Sequence, residues 1–334
     1  MGINNYPIGI GFLTQVTPER MRYMAQMGAE HVVTSLPGGG RNRNGDVWTF
    51  EGMLAQRNEV ESYGLKLSVY EGIPVPQRVK LGEEGRDEDI ENYCESIRNM
   101  GRAGIPTLCY NWMVGFGWLR TDFTTPARGG AVVTTYRHAD FERGGLTPLG
   151  EISEEQLWDS LAYFLNAVVP VAEEAGVKLA MHPDDPPRSP VRGIGRIMTS
   201  PENFQRMLDM VDSPANGLTY CQGCFTEMNI DNPTWIRRFA EQGRLHFAHY
   251  RNINKGGHAD EFSETFHDEE GEADMYEAMK TYIDVGFNGP MRPDHAPTMG
   301  NESAEETRGY GMMGKIFAFG YMIGLMQARN IAYE

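Results

Sequence analysis

Two imidazoles, a thiolate and a carboxylate can hold one divalent ion. This chain offers such a set at His182, Cys221, His249 and Asp294. Each falls just past a short apolar run: residues 177–181, 217–220, 245–248 and 289–293. Runs of that kind read as buried parallel strands. In a parallel α/β barrel the strand C-terminal ends converge on one face, where chemistry is done. The positions of the four residues therefore say more than their number.

Their neighbours carry further chemistry. His182-Pro183-Asp184-Asp185-Pro186-Pro187 sets two carboxylates beside one histidine in a loop stiffened by three prolines. Read alone, it is equally a rigid loop with solvated acids. Cys221-Gln222-Gly223-Cys224 has the spacing of a redox pair or half a structural zinc site. No second pair follows at short range, so we read Cys221 as a single ligand and Cys224 as a small turn residue. His246 and His249 are three apart and point to opposite faces of a strand. His249 is nearer the strand's C-terminal end, which leaves His246 as a packed imidazole. Arg251 could clamp a substrate carboxylate bidentately, or form a surface salt bridge. Arg292-Pro293-Asp294-His295 puts a cation, a ligand and an imidazole side by side, and His295 is a candidate general acid or base. Tyr310 lies between Gly309 and Gly311, which leaves its hydroxyl accessible; it also reads as an ordinary aromatic at a helix start. Candidate substrate contacts are Arg251, Asn252, Asp184, Arg292, Asn111 and His267. The aromatic group Tyr110, Trp112, Phe116 and Trp118 fits a sugar pocket or simple loop packing equally well.

The elements that must position these groups alternate along the chain. Strands are expected at residues 8–13, 31–34, 65–70 and 107–110, then before each of the four ligands, eight in all. Thr17-Pro18 opens the first helix as N-cap and first helical residue, and Ser153 to Gln156 is a capping box. Helices are expected at 50–63 and 87–103, with the last over 306–329. Residues 111–152, rich in Gly, Thr and Pro, read as a long irregular insertion that covers the active site or joins subunits. Residues 262–270 read as a polar loop on the ligand face. Strand–helix alternation implies a parallel sheet, and eight units favour closure into a (β/α)8 TIM barrel. No composition shift breaks the 334 residues, so one barrel domain over 1–334 is expected, with the insertion at about 111–152. No Gly-x-Gly-x-x-Gly follows a strand, which argues against a dinucleotide.

The formal net charge of −16 argues against a nucleic-acid partner. Four cysteines are too few for a disulfide scaffold and fit a reducing cytosol. The first seven residues lack the basic start of a signal peptide, and no run nears the roughly 20 apolar residues that span a membrane. A cytoplasmic homo-oligomer acting on a small molecule is expected.

The stretches 182–187, 212–219, His249-x-Arg251-Asn252 and Arg292-Pro293-Asp294-His295 resemble the mannonate dehydratase family. Weaker likeness runs through Lys80-Leu81-Gly82, Ile90 to Tyr93 and Cys109-Tyr110-Asn111. The resemblance implies a xylose isomerase-like barrel and a divalent metal, manganese or iron(II). It implies that D-mannonate loses water to give 2-keto-3-deoxy-D-gluconate. It places the metal on His182, Cys221, His249 and Asp294, and the acid/base pair at His295 and Tyr310. Three stretches depart from the family pattern. Gly11 to Thr14 stands where Arg-Trp-Tyr-Gly is usual, Gly117 replaces an Asp before Trp118, and Cys224 replaces a Ser. The expected reaction class is dehydration of a sugar acid. A different aldonate, or a sugar isomerase or epimerase on the same barrel, is the alternative. A sugar-acid binding protein with a structural metal is a further one.

Overall fold

In the computed structural model, residues 8–36, 46–258, 260–269 and 271–331 are described. The N-terminal heptapeptide and Glu270 of the expected polar loop lie outside them. The strands in chain order are β1 (Gly11–Leu13), β2 (His31–Thr34), β3 (Lys66–Glu71), β4 (Thr107–Asn111), β5 (Asp122–Pro126), β6 (Val132–Arg137), β7 (Lys178–His182), β8 (Asn216–Cys221), β9 (Leu245–Tyr250), β10 (Ile253–Asn254), β11 (Glu261–Glu264) and β12 (Met291–Pro293). Eight of them form one parallel sheet in the order β1-β2-β3-β4-β7-β8-β9-β12. A parallel bridge between Ile10 and Met291 joins its first and last strands, closing the expected barrel.

Helices cover the outside: α1 (Pro18–Met27), α2 (Phe50–Glu61), α3 (Gln77–Leu81), α4 (Arg86–Arg102), α5 (His138–Glu142), α6 (Glu154–Ala175), α7 (Pro201–Met210), α8 (Gln222–Glu227), α9 (Asn232–Glu241), α10 (Met275–Asp284), α11 (Ala304–Thr307) and α12 (Met312–Ile331). The caps are those the sequence announces. The Thr17 hydroxyl accepts from the Arg20 amide, and the Ser153 hydroxyl from the Gln156 amide.

Side-chain alternation along the barrel strands aims the site. Val33, Val69, Cys109, Ala180 and Phe247 fill the barrel interior, and the Thr219 hydroxyl donates to Cys109 Sγ there. Successive strand residues point to opposite faces, so a residue two further on points the same way. Two steps past Val69, Cys109, Ala180, Thr219 and Phe247 come Glu71, Asn111, His182, Cys221 and His249. The packing layer thus sets these five residues, three of the candidate ligands among them, above it at the mouth.

Three expectations are corrected. Residues 111–152 are not irregular: β5 and β6 form an antiparallel pair inside a second sheet, β10-β11-β6-β5. The polar loop at 262–270 supplies β11 to that sheet, pairing Phe262 with Tyr136 and Ser263 with Thr135. Strands about 130 residues apart in sequence make this pairing, so no local pattern reveals it. The last helix is split into α11 and α12. Arg308 (φ 47°) and Gly309 (φ 83°) turn left-handed between them, and Tyr310 instead bridges Ala296. A Cβ on Gly309 would come within 3.1 Å of His295 Nδ1, so only glycine lets this turn close on the site.

Candidate active site

The structure brings all four candidate ligands together. His182 Nε2 lies 3.2 Å from His249 Nδ1, which lies 3.7 Å from Asp294 Oδ2. Cys221 Sγ is 3.5 Å from the same carboxylate oxygen. His182 donates from Nδ1 to the Pro183 carbonyl at 2.7 Å, which turns Nε2 toward the cluster. Cys221, His249 and Asp294 are buried. Burial alone would raise the Cys221 thiol, but a hydrogen bond from Cys224 and the charges of Arg251 and His182 hold it well below its ordinary range. Burial pushes His182 down, yet the Cys221 charge prevails and lifts it to about 9. A thiolate and a carboxylate converging with two imidazole nitrogens in a water-poor pocket suit a divalent cation. The donor set therefore fits the metal that the resemblance implies.

His295 follows Asp294 directly, and its Nε2 lies 3.2 Å from the Tyr310 hydroxyl. Burial holds the imidazole below its ordinary pKa against the pull of Asp294, and raises the Tyr310 phenol well above its own. Both groups are therefore neutral hydrogen-bond partners that can pass a proton. Trp118, from the insertion, sets its ring edge-on to His295 at 4.9 Å and to Tyr310 at 5.9 Å. Of the two readings of the aromatic group, Trp118 belongs to the site. Trp112 packs on Phe164 in the core instead.

The arginines behave differently from expectation. Arg292 grips Glu71 at 2.7 and 2.9 Å and Asp294 Oδ1 at 2.9 Å. Burial opposes the ionisation of Glu71, but Arg292 and His249 hold it at about 2. Arg251 is neither a free carboxylate clamp nor a surface salt bridge. It is fully buried, bonded to both oxygens of Glu264 at 2.9 Å, to Asp185 at 3.1 Å and to Cys224 Sγ at 3.2 Å, and it pairs with Asp294 at 2.9 Å. Arg120 completes the network on Asp185 and Glu264, each at 2.5 Å. A Cβ on Gly223 would stand 2.3 Å from the Arg251 guanidinium carbon, so glycine makes that approach possible. Cys224 is thus a buried partner of Arg251 rather than a turn residue. It lies with His182 and Cys221 in one cluster of potential ligand atoms within 4.8 Å.

Other candidates are occupied elsewhere. Asp184 is held by Arg196 at 3.0 Å and the Met198 amide at 2.9 Å, so its neighbour Asp185 is the carboxylate that joins the site. The Asn252 side chain is used up on the backbone of Ile253 and Ala273. Asn111 stands at the mouth and accepts from the Met113 amide. His267 is braced on the Tyr250 carbonyl at 2.8 Å. Sequence reasoning does not single out Glu71, Arg120 or Glu264, and it names Asp185 only as one of two acids beside His182. Glu71 ends its strand as His182 and Cys221 end theirs, so the same rule would have found it. The other three depend on contacts distant in sequence.

Comparison with known proteins decides the family. The D-mannonate dehydratase (UxuA) model matches residues 13–150 and 144–334. The chain belongs to this family of hydro-lyases. It is 39% identical over 310 residues to mannonate dehydratase 2 of Halalkalibacterium halodurans, covering 85% of this chain and 88% of that one. It is also 39% identical over 321 residues to mannonate dehydratase of Thermotoga maritima, covering 85% and 87%. The crystal structure of mannonate dehydratase from Streptococcus suis superposes with a TM-score of 0.89 at 34% identity, covering 99% of this chain and 96% of that one. D-Psicose 3-epimerase from Clostridium cellulolyticum, at 11% identity and a TM-score of 0.59, shares the barrel fold. No helix of the described residues is long and apolar enough to cross a membrane.

Proposed function

We propose that this chain dehydrates D-mannonate to 2-keto-3-deoxy-D-gluconate, with a divalent ion, manganese or iron(II), held by His182, Cys221, His249 and Asp294. The observation that carries the reading is the convergence of those four donors beside the His295–Tyr310 pair. When bound, the ion supplies Lewis-acid stabilisation for charge developing next to the substrate carboxylate. Arg251 and Arg292 hold Asp294 from two sides, so both its oxygens are fixed before substrate arrives. The reaction removes the C2 proton and expels the C3 hydroxyl. One member of the His295–Tyr310 pair takes the proton, and the other protonates the departing hydroxyl. Both are neutral by burial, as that exchange requires. Trp118 packs its ring edge-on against both members of the pair.

Kinetics on D-mannonate beside D-gluconate, D-altronate and L-gulonate, with NMR identification of product, test the proposal. We expect a kcat/KM for D-mannonate above ~10⁴ M⁻¹s⁻¹ and far above the other three. Isomerised or epimerised sugar with no loss of water would overturn the reaction, and preference for another aldonate would overturn the substrate.

A further inference from the structure

The proposed substrate is an anion, yet the guanidinium groups at the metal end of the barrel mouth are committed to protein carboxylates. Arg292 is held by Glu71 and Asp294, and Arg251 and Arg120 share Asp185 and Glu264. Lys315, in the first turn of α12, differs. It is 5% exposed. Its ammonium donates to the Leu13 carbonyl at 3.1 Å and stands 5.0 Å from the centre of the Tyr310 ring. Among the described residues no carboxylate lies within ion-pair distance of it. An ammonium has three donors, and one is used. Lys315 and Tyr310 line a cavity of about 920 Å³ between the ends of β1 and β2, with the cation Arg20 near Thr14 and the acids Glu59, Glu302 and Glu306 also on its walls. That volume accommodates a six-carbon acid.

From this we infer that Lys315 binds the carboxylate of the sugar acid, beside the acid/base pair. The inference rests on the dehydratase reading and adds the residue that recognises the substrate's charge. C2 is bonded directly to the carboxyl carbon. A base that reaches the C2 proton therefore has the carboxylate next to it, and Lys315 is the unpaired cation adjoining Tyr310. When the C2 proton leaves, charge grows on the carboxylate oxygens, where an ammonium stabilises it more than in the ground state. A buried ammonium with unused donors is costly, and burial lowers the Lys315 pKa to about 7; a bound carboxylate offsets that cost.

Calorimetric binding to the manganese-loaded full chain separates this from a structural role. D-Mannonate and its uncharged analogue D-mannonamide would be titrated into the slow His295→Asn protein with Lys315 intact and with Lys315→Met or Lys315→Arg added. We expect Lys315→Met to weaken D-mannonate by about tenfold to a hundredfold and leave D-mannonamide within about twofold, with Lys315→Arg restoring most of the loss. Equal losses for acid and amide, or no loss for either, would overturn the assignment. Thermal melting reports whether each variant folds, and Lys315→Arg, which keeps the charge, carries the test if the methionine variant does not. Wild-type turnover of D-mannonate is scored separately, because its absence overturns the dehydratase reading and not the differential between acid and amide.

Discussion

The two sides of the barrel mouth are built on opposite principles. Toward the ends of β7, β8, β9 and β12, nearly every charge has its counter-charge within the protein. Arg120, Arg251 and Arg292 are shared among Asp185, Glu264, Glu71 and Asp294, all of them buried or nearly so. Toward β1 and β2 a cavity is walled by polar and apolar groups together with Arg20, Glu59, Glu302 and Glu306, none of which forms an ion pair among the described residues, and Lys315 is left with donors to spare. The difference teaches a division of labour. On the proposed reading, a saturated, interlocked network would fix the reacting groups whatever substrate is bound. An open wall can change with the substrate while leaving the chemistry intact. One departure from the family pattern falls on the open side, whereas Cys224 stands in the saturated network, bonded to Arg251. The candidate ligands and the candidate acid/base pair are kept, while Gly11 to Thr14 differs at the open side.

The division would break first at the metal. Cys221→Ser or His249→Ala is expected to lower bound metal from about one ion per chain to near none and to abolish turnover. Elemental analysis beside the activity assay checks both. Chelation of the wild type should do the same, reversed by manganese or iron(II). Full activity without metal would remove the saturated side from the chemistry.

His295→Asn and Tyr310→Phe come next. Each should retain metal and lose ~10²–10⁴-fold in kcat. A near-normal kcat in either variant would take that residue out of the mechanism. Arg251→Met tests the interlocking itself. It leaves Asp185, Glu264 and Glu227 buried around a missing cation, and breaking such a network costs about 3–5 kcal/mol. Denaturant titration should show a loss of that order, whereas a loss below about 1 kcal/mol would mean the network is not interlocked.

Smaller effects sharpen the contrast. Trp118→Ala removes the ring over His295 and Tyr310 and should lower kcat roughly three- to tenfold, from the energy of such aromatic pairs. Thr14→Val, on the open wall, should leave metal content and kcat on D-mannonate within about tenfold while changing the ranking among aldonates. A fixed ranking across that variant would move specificity elsewhere.

Much of this molecule was determined by its sequence alone. Eight apolar runs alternating with capped helices require a parallel barrel. The period of two in a strand then places His182, Cys221 and His249 above an interior layer of Ala180, Thr219 and Phe247. His295 was legible beside Asp294 for the same reason, because adjacency along one strand end is local. What only the tertiary structure decided is who pairs with whom. Asp184 and Asp185 are consecutive and chemically identical, yet one serves Arg196 and the other the site. Arg251 reads as a substrate clamp until Glu264 of β11 meets it, and β11 is brought there by pairing with β6, far away in the chain. Lys315 lies inside a helix with nothing local to mark it, and becomes significant because Leu13 and Tyr310 close around it. Periodicity and capping act over a few residues and are written in the sequence. Charge pairing acts over a few ångströms of space, and those ångströms exist only after the barrel has closed.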